Sequence, residues 1–300
     1  MTVTLKLVGT MESERFLIGG YVVEIEGSEL IDGVAALGSF ANFRYNGGAD
    51  RKALLSFSYS TEDCGEMCGD FLYSSENDGV VSEFYSMPEK GCFFQKMRHE
   101  NGEWLNMKIS GESGVAVIYG SLMPQMLRFA MWIGFGVMLS GNNAIAIHSS
   151  CIVYEGKAVL FLGESGTGKS THTRLWRESI PGASLLNDDS PILRAEEDGI
   201  YVYGSPWSGK TPCYKQQRCP LAAIVRLYQA PFNKIEKLPL LYAYGSVHPS
   251  CPPDFAYDTR LYDGISSTIG KVLESVPVYR MGCLPDHAAA QLSCETIFKG

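Results

Sequence analysis

One eight-residue stretch, GESGTGKS at 163–170, constrains the fold of this chain more than any other part of its sequence. Its spacing fits the pattern G-x-x-x-x-G-K-[ST], with Lys169 and Ser170 as the last two positions. The apolar run 158–162 precedes the stretch as a buried strand would, and helix-compatible residues follow it as far as Pro181. The sequence therefore predicts a strand, a glycine-rich loop and a helix in direct succession.

The residue types of this loop suit contact with phosphate groups. Its three glycines allow backbone N–H groups to turn inward, and the N-terminus of the following helix adds partial positive charge. We expect Lys169 to grip the β- and γ-phosphates of ATP, and Ser170 to place its hydroxyl on Mg²⁺. The alternative is a glycine-rich turn that binds no ligand. The predicted nucleotide-binding residues are Gly163, Glu164, Ser165, Gly166, Thr167, Gly168, Lys169, Ser170 and Thr171.

The charge and apolar content of the chain argue against nucleic-acid and membrane partners. Its 25 Lys and Arg against 33 Asp and Glu give a net charge of −8, without the basic footprint of a nucleic-acid binder. The most apolar stretch, 129–139, is about half the roughly 20 residues that a membrane-spanning helix needs. No secretory signal is visible, and nine scattered cysteines fit reduced thiols. We therefore expect a cytoplasmic protein with small-molecule or protein partners.

Two regions of different pattern divide the sequence near residue 120. Residues 1–120 contain short β-type runs separated by turn sequences such as NGG, ENDG and ENGE, which predict a mostly antiparallel β domain. That domain offers no phosphate loop, so we interpret it as a scaffold or a docking domain. Residues 121–300 begin with a Met- and Leu-rich helix, then alternate strands and helices, and close with a helix that Asp286 begins. This alternation predicts an α/β domain built on a parallel sheet.

A pair of adjacent acids, Asp188 and Asp189, ends the next apolar run after the loop. One carboxylate of the pair is expected to hold Mg²⁺ together with Ser170, and we assign Asp189 to that role. The other is expected to accept the proton of an attacking hydroxyl. The alternative is a solvated turn or a helix cap, for which Asp before Ser-Pro is common.

Two further features are candidates for the same site. His148 closes an apolar run one strand ahead of the loop, and polar residues at the carboxyl rim of a parallel sheet often meet ligands. His148 is a candidate for assisting proton transfer or for stabilising developing charge. The alternative is a histidine that only forms hydrogen bonds with the local backbone. Residues 203–214 have a composition typical of a mobile lid, of a substrate-positioning segment or of an ordinary loop. Within them Lys210 is a candidate phosphate contact.

These motifs stand in the order of a known family. The histidine, the G-x-S-G-x-G-K-S loop and the paired aspartates make residues 140–290 resemble the C-terminal catalytic domain of HPr kinase/phosphorylase. The P-loop core of that domain is similar to ATP-dependent phosphoenolpyruvate carboxykinase. The resemblance implies an α/β P-loop kinase-like fold and phosphorylation of serine with one aspartate as the base. Because family members are often oligomers, it also allows a homo-oligomer. The matching positions are His148, Ser165, Lys169, Ser170, Asp188 and Asp189.

Three functions are compatible with these motifs. The leading hypothesis is an ATP-dependent kinase that transfers the γ-phosphoryl group to a hydroxyl, a serine of a protein or peptide. The second is a non-catalytic nucleotide sensor, because the family's later glutamate-containing segment falls near 201–209, where no acid stands. The third is carboxykinase-like phosphotransfer to a small molecule, for which we identify no set of cationic and metal ligands. For the kinase, the predicted catalytic residues are His148, Lys169, Asp188 and Asp189, and the predicted metal ligands are Ser170 and Asp189.

Overall fold

Two β-sheets and six α-helices organise the part of the chain that the computed structural model describes, residues 12–48, 50–65, 68–209 and 211–299. The protein is therefore of the mixed α/β class. An eight-stranded sheet comes from residues before 121, and a nine-stranded sheet comes from residues after 143.

The eight-stranded sheet is mostly antiparallel, as predicted. Its strands lie in the order β1-β2-β3-β8-β7-β6-β5-β4, and among the described pairs only those of β3 with β2 and β8 are parallel. Helix α1 (Ser28–Ala36) follows β2 along the chain. The strands are β1 (Ser13–Ile18), β2 (Tyr21–Glu26), β3 (Leu55–Ser60), β4 (Asp70–Asn77), β5 (Val80–Met87), β6 (Cys92–His99), β7 (Trp104–Ser110) and β8 (Val115–Gly120).

Local sequence accounts for the antiparallel pairing of β4 and β5. Asp78 and Gly79 form a two-residue turn between them, and both have positive φ angles, 49° and 74°. That backbone matches the twist of adjacent antiparallel strands, and Asp-Gly is a preferred sequence for it. Alternate residues of β5, including Ser82 and Phe84, are buried, so one face of this sheet lies against the interior of the molecule.

The nine-stranded sheet carries the glycine-rich loop. Its main path is β12-β10-β11-β15-β14-β13-β9, and β17 pairs with both β15 and β16 beside that path. Its strands are β9 (Ala144–Ala146), β10 (Ser149–Tyr154), β11 (Lys157–Leu162), β12 (Ser184–Asp189), β13 (Ile192–Glu196), β14 (Gly199–Tyr203), β15 (Arg218–Gln229), β16 (Lys234–Lys237) and β17 (Val278–Cys283). The helices that accompany it are α2 (Pro124–Ser140), α3 (Lys169–Ser179), α4 (Leu240–Val247), α5 (Thr259–Ser275) and α6 (His287–Phe298).

The prediction of a parallel sheet was wrong for most of this sheet. β15 pairs in parallel with β11 and β17, while the other described pairs are antiparallel. The cause is the length of the connections. The two residues Glu155 and Gly156 join β10 to β11, whereas a parallel pair needs a crossover of about a dozen residues or more. The chain between β11 and β15 includes α3, and the chain between β15 and β17 includes α4 and α5; both of these strand pairs are parallel.

Helix α2 lies between the two sheets. It starts at a proline, as predicted, and it packs against β3 and β7 on one side and against β9 and α5 on the other. Gly134 faces the ring of Phe57 in β3, and Gly136 faces the ring of Phe255; a Cβ at either glycine would lie 2.9 Å from a ring carbon. Burial on both sides explains the apolar sequence of α2. Within the described residues, no helix is long and apolar enough to cross a membrane.

Candidate functional site

The glycine-rich loop connects the end of β11 to the start of α3. Gly168 has a φ of 100° and caps α3, a conformation that side chains with a Cβ rarely adopt. A Cβ on Gly163 would lie 2.5 Å from the hydroxyl of Thr167, so the start of the loop also requires glycine. Inside the loop, the Thr167 hydroxyl donates to the Glu164 carbonyl at 2.8 Å. Strand, loop and helix therefore follow one another as predicted.

Lys169 is buried at the base of the loop. Its Nζ donates hydrogen bonds to the carbonyl oxygens of Gly163, at 2.8 Å, and Glu164, at 3.1 Å. Burial lowers the pKa of Lys169, and the carboxylates of Asp189 and Asp188 partly oppose that shift. The loop is thus folded around its own lysine, and both predicted acids lie close enough to act on the ammonium group.

Asp188 forms the loop side of the site. Its Oδ1 accepts a hydrogen bond from the Ser170 hydroxyl at 3.0 Å and another from the Ser150 hydroxyl. The register of β10 against β12 places Ser150 directly opposite Asp188. The sequence motifs do not single out Ser150, because its place opposite Asp188 depends on the register of β10 against β12. Asp188 and Ser150 are buried, at 4% and 1% exposed, whereas Ser170 is exposed.

Asp189 forms the opposite side. Its Oδ1 lies 3.1 Å from Nδ1 of His148, and the two side chains are 37% and 48% exposed. Successive residues of a strand point to opposite faces, which separates the two neighbouring carboxylates. The structure therefore brings Asp189 together with His148, and it brings Ser170 together with Asp188 rather than with Asp189.

The segment that follows β14 is packed around the end of β12. Ser205, Trp207 and Ser208 are buried, and the Asn187 amide donates to the carbonyls of Ser205 and Trp207. Backbone pairing also links Ser208 to Asp189. These contacts favour a packed segment over a mobile lid for this part of 203–214, and the choice between a substrate-positioning segment and an ordinary loop stays a prediction. Lys210 lies outside the described residues.

Two cavities adjoin the site. The first, of 590 Å³, is bordered by Gly166, Gly168 and Thr171 from the loop and the start of α3. Gln229 at the end of β15 and Leu284 directly after β17 complete its border. Its position beside the loop suits the nucleoside part of a nucleotide. The second cavity, of 650 Å³, is bordered by His148 and Asp189 and by residues of the eight-stranded sheet.

The remaining predicted loop residues are accessible to a ligand. Glu164, Ser165, Gly166 and Ser170 are exposed, and Thr171 is half-buried at the first turn of α3. The carbonyl of Gly166 accepts a hydrogen bond from the Gln229 amide at 3.3 Å, which ties the loop to the end of β15.

Comparison with known proteins gives a distant likeness to solved structures. No family model and no curated protein matches the chain. Among solved structures, the Hpr(Ser) kinase/phosphatase from Coxiella burnetii is similar over 51% of this chain and 87% of that chain, with 15% sequence identity and a TM-score of 0.30. A likeness of this size does not establish the relationship that the sequence motifs predict.

Proposed function

We propose that the protein is an ATP-dependent phosphotransferase that moves the γ-phosphoryl group of ATP to a hydroxyl. The observation that carries the proposal is the division of polar groups around the glycine-rich loop. Lys169, Ser170 and Asp188 lie on the loop side, while Asp189 and His148 face a separate cavity. A phosphotransferase needs these two sides, one for the phosphates and one for the acceptor.

On the nucleotide side, the chain supplies donors that are satisfied internally until phosphate binds. Lys169 would exchange the carbonyl oxygens of Gly163 and Glu164 for phosphate oxygens, and the N-terminus of α3 would add backbone N–H donors. The nucleoside would lie in the 590 Å³ cavity, against Gln229 and Leu284.

The oxygen atoms of Ser170 and Asp188 fit a magnesium ion. Magnesium is held by oxygen ligands, usually one or two carboxylates completed by substrate phosphates. Among the described residues, no group of three or more His, Cys, Asp or Glu could hold a metal. Mg²⁺ bound there would neutralise charge on the transferring phosphoryl group. The contact between Ser170 and Asp188 supports Asp188, rather than Asp189, as the metal ligand.

On the acceptor side, Asp189 is the better placed base. The acceptor oxygen attacks the γ-phosphorus, the bond from that phosphorus to the bridging oxygen of ADP breaks, and the acceptor proton passes to the Asp189 carboxylate. His148 holds that carboxylate in place through the 3.1 Å contact at Nδ1. The products are ADP and a phosphate monoester.

The test uses the full chain with γ-labelled ATP, Mg²⁺ and cell extract. Wild-type protein should bind ATP and transfer label to a discrete acceptor, and Lys169→Ala should abolish transfer. The exposed Lys157→Ala is the matched control and should behave as wild type. ATP binding by calorimetry without turnover or transfer under any condition would replace this proposal with the nucleotide-sensor alternative.

A further inference from the structure

The 650 Å³ cavity is walled by three parts of the molecule. The inner face of the eight-stranded sheet contributes Ser82 and Met97, helix α2 contributes Arg128 and Trp132, and the site contributes His148 and Asp189. Its volume lies in the range of about 300–1,000 Å³ that is typical of small-molecule sites. The cavity is therefore a space into which a compact molecule could enter beside the proposed base.

The wall formed by the eight-stranded sheet is polar where a core would be apolar. Ser82 is 3% exposed and accepts a hydrogen bond from the Gln95 amide at 3.1 Å, which leaves its own hydroxyl hydrogen to donate. Gln95 itself is fully buried. The Ser82 hydroxyl, which borders the cavity, is therefore a polar group of this wall that can donate to a ligand.

Arg128 gives the cavity a positive group. Its Nη2 donates to the carbonyl oxygen of Ser208, the residue that pairs with the backbone of Asp189. Within the described ranges, Arg128 has no carboxylate within ion-pair distance. A guanidinium group has five N–H donors in a planar fork that matches a carboxylate. The remaining donors of Arg128 thus suit an anionic ligand in this cavity.

We propose that this cavity is the acceptor site, and that the acceptor is a small hydroxylated carboxylate rather than a protein surface. This inference rests on the proposed phosphotransferase function. The carboxylate of the acceptor pairs with Arg128, its carbon skeleton packs against Trp132, and its hydroxyl lies at Asp189. The reaction forms an O–P bond at that hydroxyl, breaks the bond from the γ-phosphorus to ADP, and leaves the hydroxyl proton on Asp189. The N-terminal sheet then serves as the wall that selects the acceptor.

The first experiment measures binding separately from transfer. L-Serine, L-homoserine and D-glycerate, each with its carboxamide analogue, are titrated into the full-length Lys169→Ala variant by calorimetry. At least one carboxylate should bind, and it should bind about tenfold or more tighter than its amide, because a charged hydrogen-bonded pair is lost in the amide. In the same Lys169→Ala protein, the further substitution Arg128→Gln should remove the preference for the carboxylate over its amide. The exposed Arg98→Gln should preserve it.

The second experiment measures transfer from γ-labelled ATP to the same compounds. The acceptor KM should rise about tenfold or more in Arg128→Gln while the KM for ATP stays unchanged. If Arg128→Gln instead lowers kcat equally for a carboxylate and for its amide, Arg128 acts on the phosphoryl group and the proposal is overturned. Absence of binding by every carboxylate probe, or label found only on a protein or peptide, would also overturn it. Label found only on a protein or peptide would leave the phosphotransferase function standing. Carboxylate binding without any ATP turnover would refute that function and overturn the role of the cavity as an acceptor site, and it would leave only carboxylate binding there.

Discussion

At the scale of single residues, two adjacent carboxylates have different surroundings. Asp188 is buried and accepts hydrogen bonds from Ser150 and Ser170, while Asp189 is partly exposed beside His148. The alternation of side chains along β12 produces this difference. The different surroundings suit the two residues to the separate roles proposed for them, a metal ligand on the loop side and a base on the cavity side.

Asparagine at these two positions should produce different kinetic defects. Asp188→Asn should raise the Mg²⁺ concentration needed for half-maximal transfer by about tenfold or more, because a carboxylate ligand is lost. Asp189→Asn should leave that concentration unchanged and lower kcat by about 10²–10⁴-fold, the usual contribution of a general base. Magnesium titrations of initial rate check both. The exposed Asp263→Asn is the control, and the opposite pattern in the two variants would reverse the assigned roles.

A buried histidine on α3 predicts how stability depends on pH. Burial lowers the pKa of His172 to about 4, and its Nε2 lies 3.1 Å from the Ser293 hydroxyl on α6. The unfolded chain binds a proton at its ordinary pKa near 6.5 while the folded chain does not. Stability should therefore fall as pH drops from about 6.5 toward 4, by up to about 3 kcal/mol. Urea unfolding of His172→Gln should show a weaker pH dependence over this interval, with the exposed His287→Gln as control; an unchanged profile would contradict the assignment.

At the scale of elements, the contact between α2 and α5 depends on a missing side chain. A Cβ on Gly264 of α5 would overlap the backbone carbonyl oxygen of Ser140, the last residue of α2. The helices meet closely there because the glycine leaves room. Gly270 lies on the same helix, and nothing lies within 4 Å of the position where its Cβ would be.

Alanine at these two glycines should therefore change stability in opposite directions. Gly264→Ala should lower the free energy of unfolding by about 1–3 kcal/mol, because backbone atoms of both helices must move. Gly270→Ala should raise it by up to about 1 kcal/mol, since alanine is the better helix former at an exposed position. Denaturant unfolding of both variants is the measurement. Stabilisation by Gly264→Ala would show that the helices are not held together at this contact.

At the scale of the whole molecule, the two sheets share one interior. The buried cluster that includes Phe57 and Met107 from the first sheet continues through α2 to Ile145 and Phe255. The sequence pattern changes at residue 120, and a domain boundary at that point stays a prediction. A continuous core predicts that the two regions unfold together.

Truncation of one buried ring should reveal this coupling. Phe57→Ala should cost about 3–5 kcal/mol, and it should lower the protection of amides in β7 and in β11 together. Hydrogen exchange of the full chain measures both strands at once. Phe71→Ala, at a ring that is 57% exposed, is the matched control. Loss of protection confined to the eight-stranded sheet would show two independently unfolding regions.

Local sequence determined the strand, loop and helix around Lys169, because glycine conformations, an apolar run and helix-forming residues act over a few positions. Turn sequences likewise predicted the mostly antiparallel first sheet, and Asp286 was predicted to begin α6, where its carboxylate accepts from the Ala289 N–H. The prediction of a parallel second sheet was wrong, because the alternation of strands and helices in the sequence did not reveal that β10 and β11 form an antiparallel hairpin.

Only the tertiary structure decided which groups meet across the site. The register of β10 against β12 sets Ser150 opposite Asp188, and the docking of α2 between the sheets brings Arg128 to the cavity of His148 and Asp189. These partners are far apart in the chain, and their meeting depends on strand register and helix packing that no short sequence pattern contains. The sequence alone therefore determined the strand, the glycine-rich loop and the helix, whereas packing of the two sheets around α2 decided which side chains face that loop.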